Sequence, residues 1–308
     1  MEDMTFQKDD FEFVSAPQEL IKDEVLPDKP FWKDALHRFC ENKGAVLSAI
    51  FIIVFILLAI FAPIFSSWEF DDLNTKIASL GPSSTHWFGT DNLGRDLFVR
   101  VWSGARISLF VAVAAVLIDV FIGMIYGLIS GYFGGRVDSI MQRIQEIINS
   151  IPTLVILIIL MMMMEASLLT IIIALMFTEW IGMARITRAQ VLKVKEEEFV
   201  LASRTLGAGN LFIIFKEILP NIFGQLIIMF MMSVPNAIFY EAYLAFVGLG
   251  IPIPNASLGT LINDGFDFFL VYPYMMVIPA IVLALLMLSF NLFGDGLHDA
   301  LDPTMKEG

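Results

Sequence analysis

Cysteine is almost absent: Cys40 stands alone in 308 residues, which excludes an internal disulfide and a cysteine-based metal site. Histidine is nearly as scarce. His37, His86 and His298 fall in three separate segments, so no ligand set of familiar spacing emerges and no metal site is expected. No glycine loop ends in Gly-Lys-Ser/Thr, so the chain is not expected to hydrolyse nucleotide itself. No serine sits in a Gly-x-Ser-x-Gly turn, which removes that nucleophile. With no catalytic constellation left, the chain does not read as an enzyme. Net positive charge is missing too: the net charge of -13 argues against nucleic acid as a partner. Period-two alternation is absent, so a membrane barrel is not expected.

What is present is apolar. Hydrophobic residues make up 57% and charged residues 17% of the chain, against roughly 45–50% and 25% in soluble domains. Several runs reach the ~20 apolar residues that cross a bilayer. The pattern predicts an all-α polytopic membrane protein with six transmembrane helices, near residues 45–65, 107–129, 140–164, 168–183, 222–238 (extending towards Ala245, with Pro235 as a kink) and 271–292. Residues 165–167 then form a tight turn. Residues 1–44 read as an acidic cytoplasmic tail (1–30) followed by an interfacial helix from Phe31 to Lys43. Residues 45–308 form the membrane domain in contact with the lipid bilayer. Acids fall within or near the apolar runs at Asp119, Glu165, Glu179 and Glu241, and Asp119 and Glu241 are the two considered for a pathway. Intramembrane acids face a bundle interior or a water path. A hydrogen bond to a neighbouring helix is the simpler role for Asp119, and a weak claim on a substrate pathway is the alternative for both.

Two polar stretches interrupt the runs. In residues 66–106, Thr90 or Asp91 can cap a short helix, and Asp91–Arg95 and Asp96–Arg100 stand four apart, within pairing reach. The second stretch runs from Glu198 to Asn221, where two helical patterns meet at Gly207–Gly209 and the second pattern stops at Pro220. Arg185, Arg188, Lys193, Lys195, Arg204 and Lys216 surround it, and the next basic residue is Lys306. The positive-inside rule puts this region, about 185–221, in the cytoplasm, and six spans then put both termini there. The missing phosphate loop and the few intramembrane charges argue against a self-sufficient pump or proton-coupled carrier. A channel or ion-coupled carrier is the competing class. The finger needs a partner that supplies energy.

The residues of that finger resemble the cytoplasmic loop of membrane subunits of ATP-binding-cassette importers: Ala202, Ser203, Gly207, Leu219 and Pro220 stand at matching spacing, followed by Asn221. Four further stretches, His86–Phe98, Gly104–Leu109, Glu241–Ile262 and Gly294–Pro303, resemble the permease C subunits of the oligopeptide/dipeptide importer family, in the same order. Leu201 stands where that loop usually has Glu, and Glu217 where an apolar residue or His is common. The resemblance implies a type I ABC importer permease fold in a bacterial plasma membrane. It implies a homologous second permease subunit, two ABC ATPase subunits and an extracytoplasmic peptide-binding protein as partners. ATP and Mg would sit on the ATPases, with no cofactor on this chain. The coupling residues would be Ala202, Ser203, Arg204, Leu206, Gly207, Ala208, Leu211 and Pro220, with apolar contact from Leu211, Phe212, Ile214 and Phe215. Phe88, Gly89, Thr90, Asp91, Gly94, Arg95 and Asp96 would form an extracytoplasmic loop motif. A dipeptide or nickel permease of the same branch is the alternative substrate reading, and the low histidine content favours peptides.

Overall fold

The computed structural model describes residues 31–301, so the acidic arm 1–30 lies outside the described residues. Helix α1 (Phe31–Glu41) leads into α2 (Lys43–Phe65), whose first amides are capped by the Asn42 side chain at 3.0 and 3.2 Å. An ordered loop then feeds α3 (Leu97–Phe133), 37 residues long. The second span therefore begins ten residues before its expected start. Its cap is Asp96, whose Oδ1 accepts the Val99 amide at 2.9 Å, and not Thr90 or Asp91. The acid that matters is the one next to the apolar pattern, where the orphan amides of the first turn point.

The third span is not one helix. Helices α4 (Gly135–Asn149) and α5 (Thr153–Met163) meet at a 76° bend. Pro152 accounts for the break, because it lacks an amide hydrogen and drives the residue before it out of the helical region. Helix α5 is about 16 Å long at 1.5 Å per residue, too short to cross alone. The crossing is nonetheless required by its neighbours. Helices α3 and α6 (Leu168–Val194) form the most extensive pair and run parallel. A Cβ on Gly123 would stand 2.6 Å from the Trp180 carbonyl oxygen, one on Gly127 2.5 Å from that of Ala184, and one on Gly131 3.0 Å from that of Arg188. Three glycines one turn apart thus let two backbones touch, the usual way that helices associate where no water drives them together. Since both helices travel the same way, the chain must return between them, and α4 with α5 makes that return.

Helix α6 ends at Val194, past its expected end at Met183. Beyond it come α7 (Glu198–Thr205), the short α8 (Asn210–Phe212), a π-helical stretch 213–218, α9 (Leu219–Leu244) and a second π-helical stretch 245–249. Pro220 does not stop the second arm of the finger, as its sequence suggested. The backbone stays helical from Asn210 to Val247. The Leu219 amide bonds back five residues to Ile214, so the wide turn comes just before the proline whose amide would be missing. Gly248, with φ +87°, ends the rod. The segment 246–262, rich in Gly and Pro, contains the capped start of α10 (Leu258–Phe266), where Ser257 and Thr260 form a capping box. Helix α11 (Tyr274–Leu301) closes the chain and takes in residues 293–301 beyond the expected end of the last span.

Among the described residues, five helices are long and apolar enough to cross unaided, and the bent pair is the sixth crossing. The core lies between α2, α3, α9, α10 and α11, around Val101, Ala105, Ile238 and Leu286. A second cluster joins α3, α5, α6 and α9 through Leu157, Ile171, Leu175 and Leu244. Helix α1 packs back through Ala35 onto Ile228 and Leu301, so residues near both ends of the described chain share one face of the bundle.

Candidate functional site

The finger is built from α7, α8 and the π-helical stretch. Val200, Ile213 and Ile218 are fully buried beneath it, against Leu128, Tyr132 and Val191. Those contacts tether the finger to α3 and α6. Between its arms Gly207 adopts φ +85°, a left-handed conformation that glycine accepts without steric cost. No neighbour would meet a Cβ there; the backbone angle, not space, demands glycine.

Two hydrogen bonds fix the arms. The Ser203 hydroxyl lies 3.1 Å from Glu217 Oε1 and donates to it, joining the first arm to the second. Glu217, a departure from the family pattern, therefore has a partner inside its own finger. The Tyr132 hydroxyl donates to Asn210 Oδ1 at 2.9 Å and clamps the finger to the end of α3. The Arg204 guanidinium lies 5.8 Å from the centre of the Tyr132 ring, within cation–π range. Nearby, Lys195 donates to the Gly131 carbonyl at 2.9 Å, and Arg188 forms two 2.6 Å bonds to Asp138. One charge of the basic cluster is thus neutralised within the fold.

The outward face carries what remains. Leu206 is 88% exposed and Leu211 71%. Phe212 and Phe215 are more than half exposed, and Ala202, Arg204, Gly207 and Pro220 also face outwards. Ser203 and Ala208 are half-buried. Ile214 was expected among the outward apolar contacts but is buried. The wide helical turn rotates it inwards with Ile213 and Ile218, a displacement that a 3.6-residue period does not anticipate.

The motif at the opposite end is a buried charge network. Asp91 Oδ1 accepts the Leu93 and Arg95 amides at 2.9 Å each, and its Oδ2 accepts Arg95 Nε at 2.6 Å. Arg100 was expected to pair with Asp96. Its Nε instead lies 3.5 Å from Asp91 Oδ2, its Nη2 lies 3.8 Å from Asp264, and its Nη1 donates to the Phe70 carbonyl at 3.2 Å. Asp96 is occupied by the helix cap and by His86, whose Nδ1 lies 2.8 Å from Asp96 Oδ2. Sequence spacing missed His86 because the partners sit ten residues apart across a loop. Gly89 and Gly94 take φ of +81° and +79°, and Phe88 packs edge-on against Phe98. The Thr90 hydroxyl donates to the Ile77 carbonyl. Tyr274 donates to the carbonyls of Leu80 and Thr90 at 2.9 and 3.0 Å, binding the loop to α11.

Two of the acids at membrane depth, Glu241 and Asp119, differ. Glu241 is completely buried; Ser108 donates to its Oε2 at 2.8 Å and accepts the Leu258 amide at 3.2 Å, so α3, α9 and α10 meet there. Asp119 is buried, but its Oδ1 has no hydrogen-bond partner among the described residues, and the expected bond to a neighbouring helix is not formed.

Residues 123–307 match the family described as binding-protein-dependent transport system inner membrane component. Residues 30–82 match the N-terminal transmembrane domain of oligopeptide transport permease C. The chain is 50% identical over 276 residues to the oligopeptide transport system permease protein OppC of Bacillus subtilis, covering 90% of each chain. It is 48% identical over 282 residues to the dipeptide transport system permease protein DppC of the same organism, covering 91% of this chain and 88% of the relative. The OppC protein of Escherichia coli K12 is 42% identical over 277 residues, covering 89% and 92%. Among solved structures, a chain of the MetNI methionine ABC transporter in an inward-facing conformation is similar in fold. Its TM-score is 0.54 at 21% identity, over 67% of this chain and 96% of that one.

Proposed function

The chain belongs to the family of binding-protein-dependent transport system inner membrane components and has the fold of a type I ABC importer permease; on that premise we propose that it forms half of the pathway of an ATP-driven oligopeptide importer. A homologous second permease subunit supplies the other half, and an extracytoplasmic binding protein delivers the peptide. Two ABC ATPase subunits, which carry the ATP and Mg, sit against the finger. The chain resides in a bacterial plasma membrane with the finger and both termini in the cytoplasm. The basic residues around the finger support that orientation.

The observation that carries the reading is the finger itself. Its inner face is clamped to the bundle by Tyr132, Val200 and Ile218, while Leu206, Leu211, Phe212 and Phe215 project away from it. Such an element suits a groove on a moving partner, because displacement of the finger displaces α6 and α9 with it. Coupling of this kind requires a two-state element that both sites bias. Ala202, Ser203, Arg204, Leu206, Gly207, Ala208, Leu211 and Pro220 are the coupling residues in this reading. Phe88 to Asp96 build the extracytoplasmic loop that holds the outer ends of α2, α3 and α11 in register. Glu241 joins three helices, and Asp119, unpaired and buried, is the better claimant to a place on the pathway.

Gly207→Asp tests the proposal in the assembled transporter. Peptide uptake and its coupled ATP hydrolysis should be lost while membrane insertion is retained; normal uptake would refute the coupling role. The 48% identity to a dipeptide permease supports a second substrate reading, dipeptides, which competition between di- and oligopeptides for uptake separates. Solute movement by the purified chain alone in liposomes would favour a channel or ion-coupled carrier instead.

A further inference from the structure

Arg106 is the one arginine in the outer half of the bundle that the charge network does not use. It sits on α3 two turns below the Asp91–Arg95–Arg100 cluster, is exposed, and has no hydrogen bond or ion pair among the described residues. Two cavities meet at it. Towards the end of the bundle opposite the finger lies a half-polar cavity of about 380 Å³, whose walls include Ser66, Trp68, Glu69, Asp71 and Ser103. Towards the bilayer centre lies a groove of about 360 Å³ between α2 and α3, lined, Arg106 aside, by apolar side chains such as Ile56, Ile60, Phe110 and Leu117. Ser103, one turn above Arg106 in the wall of the polar cavity, is buried, and its hydroxyl has no partner.

We infer that this junction binds one phospholipid with a zwitterionic, amine-bearing headgroup. The phosphate takes the free Arg106 guanidinium, an acyl chain fills the groove below it, and the ammonium faces Glu69 and Asp71. The vertical order of the site matches an amphiphile: acids at the rim, a cation at headgroup depth, hydrocarbon walls underneath. Arginine suits the middle level, because its fork bonds two phosphate oxygens and its stem lies along apolar surface. An anionic lipid without an amine meets the same arginine but also the two acids, which repel it. A soluble phosphate ester leaves the groove empty. The groove, continuous with the cation, is what selects a lipid over a soluble zwitterion.

The membrane complex containing this chain, delipidated in mild detergent, provides the test. Phosphatidylethanolamine and phosphatidylglycerol with identical acyl chains are titrated in, and bound lipid is counted by native mass spectrometry. Wild type should hold phosphatidylethanolamine about tenfold more tightly than phosphatidylglycerol, and Arg106→Gln should lose about tenfold of that affinity. Ile60→Trp, which fills the groove and leaves every charge in place, should weaken binding as well. Free phosphoethanolamine should not compete. Unchanged retention in Arg106→Gln, equal binding of the two lipids, unchanged binding in Ile60→Trp, or competition by free phosphoethanolamine would each overturn the inference. So would loss of the second permease subunit from Arg106→Gln complexes whose lipid content is unchanged, since that result assigns the arginine to a protein carboxylate.

Discussion

The two ends of the bundle handle polar groups in opposite ways. At the end bearing residues 66–96, charged side chains are buried and paired: Asp91 with Arg95 and Arg100, Asp96 with His86 and the first turn of α3. At the finger end, side-chain bonds hold the inner face to the bundle, and large apolar groups on the outer face stand in the open. Buried charge is costly to leave unmatched, so the first end tolerates little rearrangement. Exposed apolar surface costs little to move and favours a partner. One end fixes helix ends in register; the other receives motion.

The difference can be broken from either side. Gly207→Asp should have the largest effect on transport, abolishing uptake without reducing the amount of chain in the membrane, because only the φ +85° turn is attacked; uptake assays beside membrane immunoblots check this. Asp96→Ala attacks the other end and should behave differently. It removes a helix cap and leaves His86 without its partner, at a cost of about 3 kcal/mol. The expected outcome is a lower melting temperature and less assembled complex, with residual activity per assembled complex preserved. If Asp96→Ala uncoupled ATPase from uptake in a fully stable complex, the division of labour between the two ends would fail. Glu217→Ala opens the Ser203 staple and should cost about 1 kcal/mol. Uptake should fall severalfold while ATP hydrolysis persists, and the two assays in parallel measure that ratio. Tyr132→Phe removes one hydrogen bond to Asn210 but keeps the ring beneath Arg204. It should have the smallest effect, about 1 kcal/mol or less, read as a faster amide exchange of the finger with near-normal uptake.

The apolar runs made the crossings legible, and five of them appear as single long helices near their expected positions. The finger, too, was visible from Gly207 and its flanking patterns. The third crossing was placed correctly but not its shape, because Pro152 sits in an apolar run that hides the break. The charge network was half-legible. Asp91–Arg95 follows from spacing along the chain, whereas His86–Asp96 and Arg100–Asp91 depend on a folded loop that no helical period encodes. Ile214 was misassigned for a related reason. Period counting assumes 3.6 residues per turn, and residues 213–218 depart from it. The pairing of Glu217 with Ser203 came from the same wide turn, so a residue that looked like an exception to the family pattern belongs to the finger's own construction.

The continuous helical backbone from Asn210 to Val247 has a mechanical consequence. At 1.5 Å per residue, residues 210–247 make a shaft of about 57 Å, roughly twice the hydrocarbon thickness. One end lies in the finger and the other reaches Gly248, beside the buried start of α10. A wide turn sits near each end, at 213–218 and 245–249. A π-helical turn interrupts the regular α-helical ladder, and such interruptions recur at functional sites. They are the places where the shaft rewinds most cheaply. Torque applied at the finger would therefore be taken up at its two ends and at Pro235, where α9 lacks one backbone hydrogen bond.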